Sequence, residues 1–333
     1  MLALGLALVF ASGLANGLFT VPMKIIPRWK WEHIWLVFIV FACLVMPVSI
    51  VAASISDPGG IWNAAPATAR TAALVFGFAW GFGSICFGMS VDRLGVSLAN
   101  SLVIGLSSAL GSMVPLFLAG GFQLEARHVL LFGGVAVFLT GVAICGSAGR
   151  MRDRQGPAAS GASALGYVLA IVSGVLSAVF NIGYAMAQPV AEAGIGLGYS
   201  RFTSTNFIWL LMLSAGSIPN IVFCGYLILR NRSAGMFREG PVPRTYGLSI
   251  LMGLLWGASI FLYGAATPML GDIGPSIGWP LSLAVGLVVV NIMGTLLGEW
   301  RAAGPAPARR MRIGILVLLL AIVLCAMAVK TGS

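Results

Sequence analysis

The chain of 333 residues is 59% hydrophobic and only 8% charged, whereas soluble domains are about 25% charged. A composition this apolar excludes a protein whose main solvent is water. The formal net charge of +10 would suit a nucleic-acid-binding protein, but the positions of the basic residues indicate another role.

Apolar segments follow one another along the whole chain, each long enough to cross a bilayer, which takes about 20 residues. None of them contains Asp, Glu, Lys or Arg. A charge at the centre of a spanning helix costs roughly 2.5 to 3.5 kcal/mol, so this absence favours membrane insertion. We therefore predict an all-α membrane protein with ten transmembrane helices, at 2–23, 33–54, 71–90, 95–118, 129–147, 165–188, 205–229, 246–268, 275–297 and 313–329.

Most basic residues lie in the loops that follow the odd-numbered spans. Cytoplasmic loops carry the basic excess, so both termini are predicted on the non-cytoplasmic side. We interpret these residues as topology markers that also attract anionic lipid, and we expect no nucleic-acid partner. The loops after odd-numbered spans hold Lys24, Arg28, Lys30, Arg93, Arg150, Arg152, Arg154, Arg230, Arg232, Arg238, Arg244, Arg301, Arg309, Arg310 and Arg312, and the other side holds Arg70, Arg127, Arg201 and Lys330.

One stretch is written twice, at 77–95 and at 253–271, with the shared spacing G-x2-W-G-x6-G-x5-L-G. Chance matching of Gly-rich helices is the alternative, but Trp is only 9 of 333 residues, so duplication is the better explanation. A weaker echo joins spans one and six: Gly5, Ser12, Gly13 and Phe19 recur as Gly166, Ser173, Gly174 and Phe180.

The duplication predicts two five-helix repeats, 1–148 and 165–333, joined by a cytoplasmic linker at 149–164. Because five is odd, the second repeat enters the membrane from the opposite side, which makes the repeats inverted. Inverted repeats are typical of secondary transporters, which bind substrate near the midplane and alternate access by rocking one repeat against the other.

Several motifs resemble the L-rhamnose–proton symporter family of the drug/metabolite transporter superfamily. SGLANGLFTVPMK at 12–24 is followed by RWKWEHIW at 28–35, and FGFAWGFGSICFGMSVDRLG occupies 76–95. The second half adds GVLSAVFNIGYAMAQPV at 174–190 and GEW at 298–300. The resemblance implies ten spans, a multi-pass location in the inner membrane, and uptake of L-rhamnose or a related sugar with protons.

One segment departs from the family pattern. Span nine begins with GPSIGWP, where we expect a polar stretch that contains an acid.

Polar side chains at helical spacing are candidates for binding a neutral sugar. On span one Asn16 and Thr20 are four residues apart, and on span six Asn181, Tyr184 and Gln188 fall on one stripe because residues at i, i+3 and i+4 share a helix face. The alternative is that these groups only join helices, through hydrogen bonds that average about 0.6 kcal/mol in membrane proteins.

Aromatic faces could support the apolar face of a sugar while polar groups orient it. The candidates away from the span ends are Trp80, Trp256, Tyr263 and Trp279. For Trp80 and Trp256 the alternative is packing against neighbouring glycines. We assign the tryptophans near span ends to the interfacial aromatic belts, namely Trp29, Trp31, Trp35, Trp62 and Trp300.

The two histidines carry no enzymatic motif. His33 and His128 lie at span boundaries without an HExxH, and no Walker sequence occurs in the chain. The cysteines fall inside predicted spans without metal-ligand spacing. We therefore expect no enzyme, cofactor or metal.

Proton coupling has few candidate groups because no predicted span contains an acid. Glu32 and Asp92 are the first candidates, and the alternative is that such boundary groups are solvated loop residues; the other boundary groups are His33, Asp272 and Glu299. The sequence thus predicts a secondary transporter whose partners are a small sugar, protons and the lipid bilayer. A drug or metabolite exporter, an uncoupled facilitator, and a non-transporting receptor or assembly protein remain as alternatives.

Overall fold

The structure is a computed structural model that describes residues 2–94, 96–118, 120, 125–153, 164–271, 273–298, 300 and 303–331. In this part of the chain the secondary structure is helical, and no strand is assigned. Nine helices among the described residues are long and apolar enough to cross a membrane, and Leu2–Leu18 is a shorter apolar helix. The prediction of an all-helical membrane protein is confirmed.

The long helices follow the predicted spans in chain order. Short helices at Pro58–Ala64 and Gln188–Gly196 and 3-10 turns at Pro22–Ile25, Ala234–Arg238 and Thr267–Leu270 connect them. The shorter helix is α1 (Leu2–Leu18), and the nine long helices are α2 (Trp31–Ser54), α3 (Ala67–Leu94), α4 (Val96–Leu118), α5 (Ala126–Asp153), α6 (Ala164–Met186), α7 (Arg201–Arg230), α8 (Val242–Ala266), α9 (Gly274–Leu296) and α10 (Pro305–Lys330).

Proline accounts for two local departures from regular spans. Helix α1 ends at Leu18, before the predicted end at 23, and the chain turns into the 3-10 segment that begins at Pro22. Within α2 a π-helical turn at Phe41–Val45 precedes Pro47. Proline has no N–H to donate to the preceding turn, and inserted π turns accommodate such a missing bond.

The helices that carry the duplicated stretch, α3 and α8, have comparable neighbours. Helix α3 packs on α6 and α7, and α8 packs on α1 and α2. Helix α4 packs on α6 and α9, and α5 packs along α10. This arrangement places α3 and α8 on opposite sides of a shared interior.

Glycines allow α3 and α8 to approach the backbones of their neighbours. A Cβ at three of the four repeated glycines would lie within 3.2 Å of a carbonyl oxygen of the adjacent helix, which is the close approach that GxxxG pairs permit. At the fourth, Gly257, an added Cβ would meet the Met46 sulfur first, and the carbonyl oxygen of Ala42 is 3.8 Å away. The pairs are Gly77 with Met212 and Gly81 with Gly216 on α7, and Gly253 with Phe38 and Gly257 with Ala42 on α2.

Candidate functional site

Aromatic side chains from six helices form a continuous series of rings through the interior, which we call the aromatic column. Neighbouring ring centroids in the column lie between 4.4 and 5.9 Å apart. In order, the rings are Trp31, Trp35, Phe38, Trp256, Trp80, Phe180, Trp209, Tyr184, Tyr263 and Trp279.

The two repeated tryptophans meet in the middle of the column. The Trp80 and Trp256 rings are stacked, with centroids 5.2 Å apart and an interplanar angle of 12°. Both side chains are half-buried. The structure thus brings together two candidates from opposite halves of the sequence and provides flat apolar faces of the kind that hold the apolar side of a ligand.

Farther along the column, where Tyr263 lies, is a polar centre at Asn181, which is fully buried on α6. Its Nδ2 donates to the carbonyl oxygens of Gly111 on α4, at 2.7 Å, and Pro275 on α9, at 3.1 Å. Its Oδ1 accepts a hydrogen bond from the Tyr263 hydroxyl on α8. One amide therefore joins four helices, and we call Asn181 with Tyr263 the polar centre.

Two further sequence candidates adjoin the polar centre. The Tyr184 hydroxyl donates to the carbonyl oxygen of Gly264 at 3.3 Å, and the Trp279 indole N–H donates to the carbonyl oxygen of Ser107 at 3.3 Å. Both rings also contact the Tyr263 ring, with centroids 5.6 and 5.5 Å away. The structure therefore groups Tyr184 and Trp279 with Asn181 and Tyr263.

Of the remaining polar candidates, Gln188 adjoins this group at Tyr184, whereas Asn16 and Thr20 lie at α1. Gln188 is half-buried and donates to the carbonyl oxygen of Tyr184 at 3.3 Å. Asn16 lies beside Gly286 of α9, and Thr20 is in the turn that follows α1. Among the described residues, no hydrogen bond joins these three side chains to the polar centre.

Asn220 on α7 is a buried polar residue that sequence reasoning missed. Its Oδ1 accepts from the Trp35 indole N–H at 3.0 Å and from the Ser84 hydroxyl at 2.7 Å. Its Nδ2 donates to the carbonyl oxygens of Gly81, at 3.1 Å, and Gly216, at 3.0 Å. An amide next to Pro219 inside an apolar span was the available signal.

The assignment of Trp35 and Trp29 to an interfacial belt is wrong. Trp35 is only 7% exposed and is bonded to Asn220. Trp29 is buried edge-on against Phe237 and Tyr246, with centroids 5.3 and 4.8 Å away. Phe237 of the 3-10 segment before α8 and Tyr246 in α8 cover Trp29, and Asn220 of α7 bonds Trp35; distance from a span end does not predict such partners.

Glu32 lies buried where α2 begins, not solvated in a loop. It is 6% exposed and accepts a 2.9 Å hydrogen bond from Asn231 Nδ2, just after α7. The adjacent His33 is fully buried, and its Nε2 donates to the carbonyl oxygen of Ser233 at 2.9 Å, since a carbonyl can only accept. The second coupling candidate, Asp92, lies outside the residues whose side chains are described.

Helices α2 and α7 are also tied together at their other ends. The Tyr199 hydroxyl, which precedes α7, shares a 2.8 Å hydrogen bond with Ser56 and accepts one of 2.9 Å from the Asp57 N–H. Polar contacts therefore close both ends of the α2–α7 pair. Among the described residues, no group of His, Cys, Asp and Glu could hold a metal ion.

Known proteins resemble this chain over nearly its full length. The L-rhamnose-proton symporters of Cronobacter sakazakii and Escherichia coli K12 are 28% identical over 315 residues and 26% identical over 314 residues, covering 91% of each chain. A crystal structure of a protein that is 14% identical has a TM-score of 0.64 and covers 99% of both chains, which supports the helical fold. The family described as L-rhamnose-proton symport protein (RhaT) matches residues 1–331. The chain therefore belongs to the L-rhamnose-proton symport protein family.

Proposed function

We propose that this protein is a secondary transporter that takes up L-rhamnose or a related neutral sugar together with protons across the inner membrane. The observation that carries the proposal is the aromatic column, which connects the stacked Trp80–Trp256 pair with the polar centre of Asn181 and Tyr263. Family membership supports sugar–proton symport, because the related proteins carry that name.

The sugar site we propose lies between the paired indole faces and the polar centre. Indole faces suit the apolar side of a sugar ring, while hydroxyl and amide groups orient its oxygens. No ion is needed to bind a neutral ligand in this way. Asn181, Tyr184, Tyr263 and Trp279 supply the polar groups, and we place Asn16, Thr20 and Gln188 along the route to the site.

Alternating access between inverted repeats is the mechanism we infer, with repeats 1–148 and 165–333 and a linker at 149–164. Equivalent glycine contacts support it: Gly77 and Gly81 of α3 lie on α7, and Gly253 and Gly257 of α8 lie on α2. Rocking of one repeat against the other would open each end of the α2–α7 pair in turn.

Glu32 is the group we propose for proton coupling, with Asp92 as a second candidate. A buried acid in a membrane protein is a functional candidate by default, and among the described residues Glu32 is the acid that bridges the two proposed repeats. At 100 mV one co-transported charge supplies about 2.3 kcal/mol. At about 1.4 kcal/mol per tenfold change, this supports roughly fifty-fold accumulation.

Vesicles that contain purified protein test the proposal. With an inward proton gradient, the unaltered protein should accumulate labelled L-rhamnose. Glu32→Gln should still exchange sugar across the membrane but should not accumulate it, whereas Glu239→Gln, at an exposed acid, should behave normally. Accumulation of L-rhamnose by Glu32→Gln would exclude Glu32 as the coupling group. Failure of the unaltered protein to transport any sugar would contradict the proposal that the protein is a sugar transporter.

An uncoupled facilitator is the second candidate function. The observation that favours it is the absence of Asp and Glu from all predicted spans. Such a protein would equilibrate L-rhamnose and ignore an imposed proton gradient, so the same vesicles separate the two functions. An exporter would transport amphipathic compounds instead, and a receptor would bind sugar without moving it.

A further inference from the structure

The glycine contacts relate α2 and α7 position by position. Met212 and Gly216 of α7 receive the glycines of α3 at the same four-residue spacing at which Phe38 and Ala42 of α2 receive those of α8. Trp35 stands three residues before Phe38, and Trp209 stands three residues before Met212. Trp35 and Trp209 are therefore equivalent positions of the two helices.

These equivalent tryptophans differ in their hydrogen bonding. The Trp35 indole N–H donates to Asn220, four residues after Gly216. The residue four after Ala42 is Met46, whose sulfur lies against Gly257 and is only a weak acceptor. Among the described residues, the Trp209 indole N–H has no hydrogen-bond partner.

An unpaired indole N–H is unusual at this depth. Trp209 is fully buried, and a buried Trp N–H ordinarily finds an acceptor. The ring lies within the aromatic column, stacked on Tyr184 at 4.4 Å and 5.7 Å from Phe180. An unsatisfied donor in the column therefore requires an explanation, and a ligand acceptor is one.

The neighbouring tyrosine hydroxyls already donate hydrogen bonds, whereas the Trp209 N–H is covered by the backbone of α8. The hydroxyls of Tyr184 and Tyr263 donate to Gly264 and Asn181. The Trp209 Nε1 lies against Gly264 of α8, where an added Cβ would collide with it. Separation of α8 from α7 at Gly264 would expose the Trp209 N–H, and the N–H would lose no hydrogen bond because it makes none among the described residues.

We propose that the Trp209 indole N–H donates a hydrogen bond to a hydroxyl oxygen of the transported sugar once α8 moves away at Gly264. This inference rests on the proposed sugar transport. It makes Trp209 a specificity-determining residue, because a sugar that lacks the contacted hydroxyl leaves the N–H unpaired. A neutral donor of this kind suits a neutral sugar.

Substitution of Trp209 by Phe tests the inference, because the ring remains and the N–H is lost. Trp209→Phe should raise the dissociation constant for L-rhamnose about tenfold, which corresponds to a loss of about 1.4 kcal/mol in binding free energy. Trp62→Phe is the matched control, since Trp62 stands in the short helix after α2 and stacks with Arg70 outside the column. Its affinity should equal that of the unaltered protein.

Affinities for a panel of monodeoxy analogues of L-rhamnose distinguish a hydrogen bond to one hydroxyl from a purely structural role of Trp209. For the analogue that lacks the contacted hydroxyl, the unaltered protein and Trp209→Phe should bind equally. If Trp209→Phe does not fold, benzothienylalanine at position 209 replaces the N–H by sulfur and keeps the bicyclic ring. That variant should show the same loss of affinity.

The outcomes separate this inference from the function on which it rests. Unchanged L-rhamnose affinity in Trp209→Phe or in the benzothienylalanine variant would overturn the inference and leave sugar transport standing. An equal loss of affinity for every analogue would also overturn it, because no single hydroxyl would then be read. Failure of the unaltered protein to bind any of these sugars would overturn both.

Discussion

Trp80 and Trp256 are stacked on each other and half-buried, and we propose that their indole faces contact the sugar. Trp80→Phe and Trp256→Phe reduce the aromatic area but keep a ring, so we expect each to weaken L-rhamnose affinity about tenfold at near-normal folded yield. Calorimetric titration of purified protein measures the change. Loss of folded protein with unchanged affinity in the remainder would show that the pair serves packing alone.

Asn220 has a structural role at the residue scale. Asn220→Ala removes the acceptor of the buried Trp35 N–H, and an unsatisfied buried donor costs about 1 to 3 kcal/mol. The control is Asn291→Ala, because Asn291 is half-buried and donates only to Leu287 within its own helix. We expect thermal unfolding in detergent to show a clearly lower melting temperature for Asn220→Ala and little change in melting temperature for Asn291→Ala. Equal melting temperatures would refute this role.

Which residues the sequence could identify depends on how their burial arises. Asn181, Tyr184 and Tyr263 lie mid-span, where helical periodicity alone predicts an inward face, and the structure groups them. Glu32 and Trp35 lie near the start of α2, and both are buried by partners distant in the sequence, Asn231 and Asn220. Single-helix patterns carry no information about such partners.

At the scale of elements, hydropathy locates the helices well because bilayer thickness sets their length. Helix ends are set instead by local backbone chemistry. Helix α1 stops at Leu18 ahead of Pro22, and α5 continues to Asp153, beyond the predicted end at 147, because charged residues can extend a helix past the apolar core. The π turn at Phe41–Val45 has no hydropathy signal.

Close helix contacts at the duplicated glycines are testable at the same scale. Gly77→Ala would place a Cβ against the backbone of Met212, and such overpacking costs about 1 to 3 kcal/mol. Gly225→Ala, on α7, meets nothing within 4 Å and gains about 1 kcal/mol in helix propensity. We expect a reduced folded yield only for Gly77→Ala, by size-exclusion chromatography. A normal yield would mean that α3 and α7 can separate at little cost.

We propose that the basic residues determine how the whole molecule is oriented in the membrane. Reporter fusions at Arg154 and Arg310 should report a cytoplasmic location, and a fusion at Ser333 should report the opposite side, because basic loops remain in the cytoplasm. A fusion in the Arg127 loop is the control for the sparsely charged side. A cytoplasmic Ser333 would reverse the proposed orientation.

The proposed relation between the two halves of the whole molecule could be predicted only in part from the sequence. The repeated Trp-Gly pairs predicted related helices, and Trp80 and Trp256 do meet. The correspondence of Trp35 with Trp209 also has a signal in the sequence, the tripeptide IWL at 34–36 and at 208–210. Three residues are too few to relate two helices by themselves, and the contacts that α2 and α7 make with the repeated glycines supply the rest.

We propose that sugar and protons cross the membrane together, and a pH measurement on vesicles detects this coupling. Purified protein is placed in lightly buffered vesicles with no imposed gradient, and L-rhamnose is added outside. Symport predicts that the external medium becomes alkaline as sugar and protons enter together, and that Glu32→Gln abolishes the signal. Equilibration of L-rhamnose with no pH change and no response to an imposed proton gradient would contradict symport.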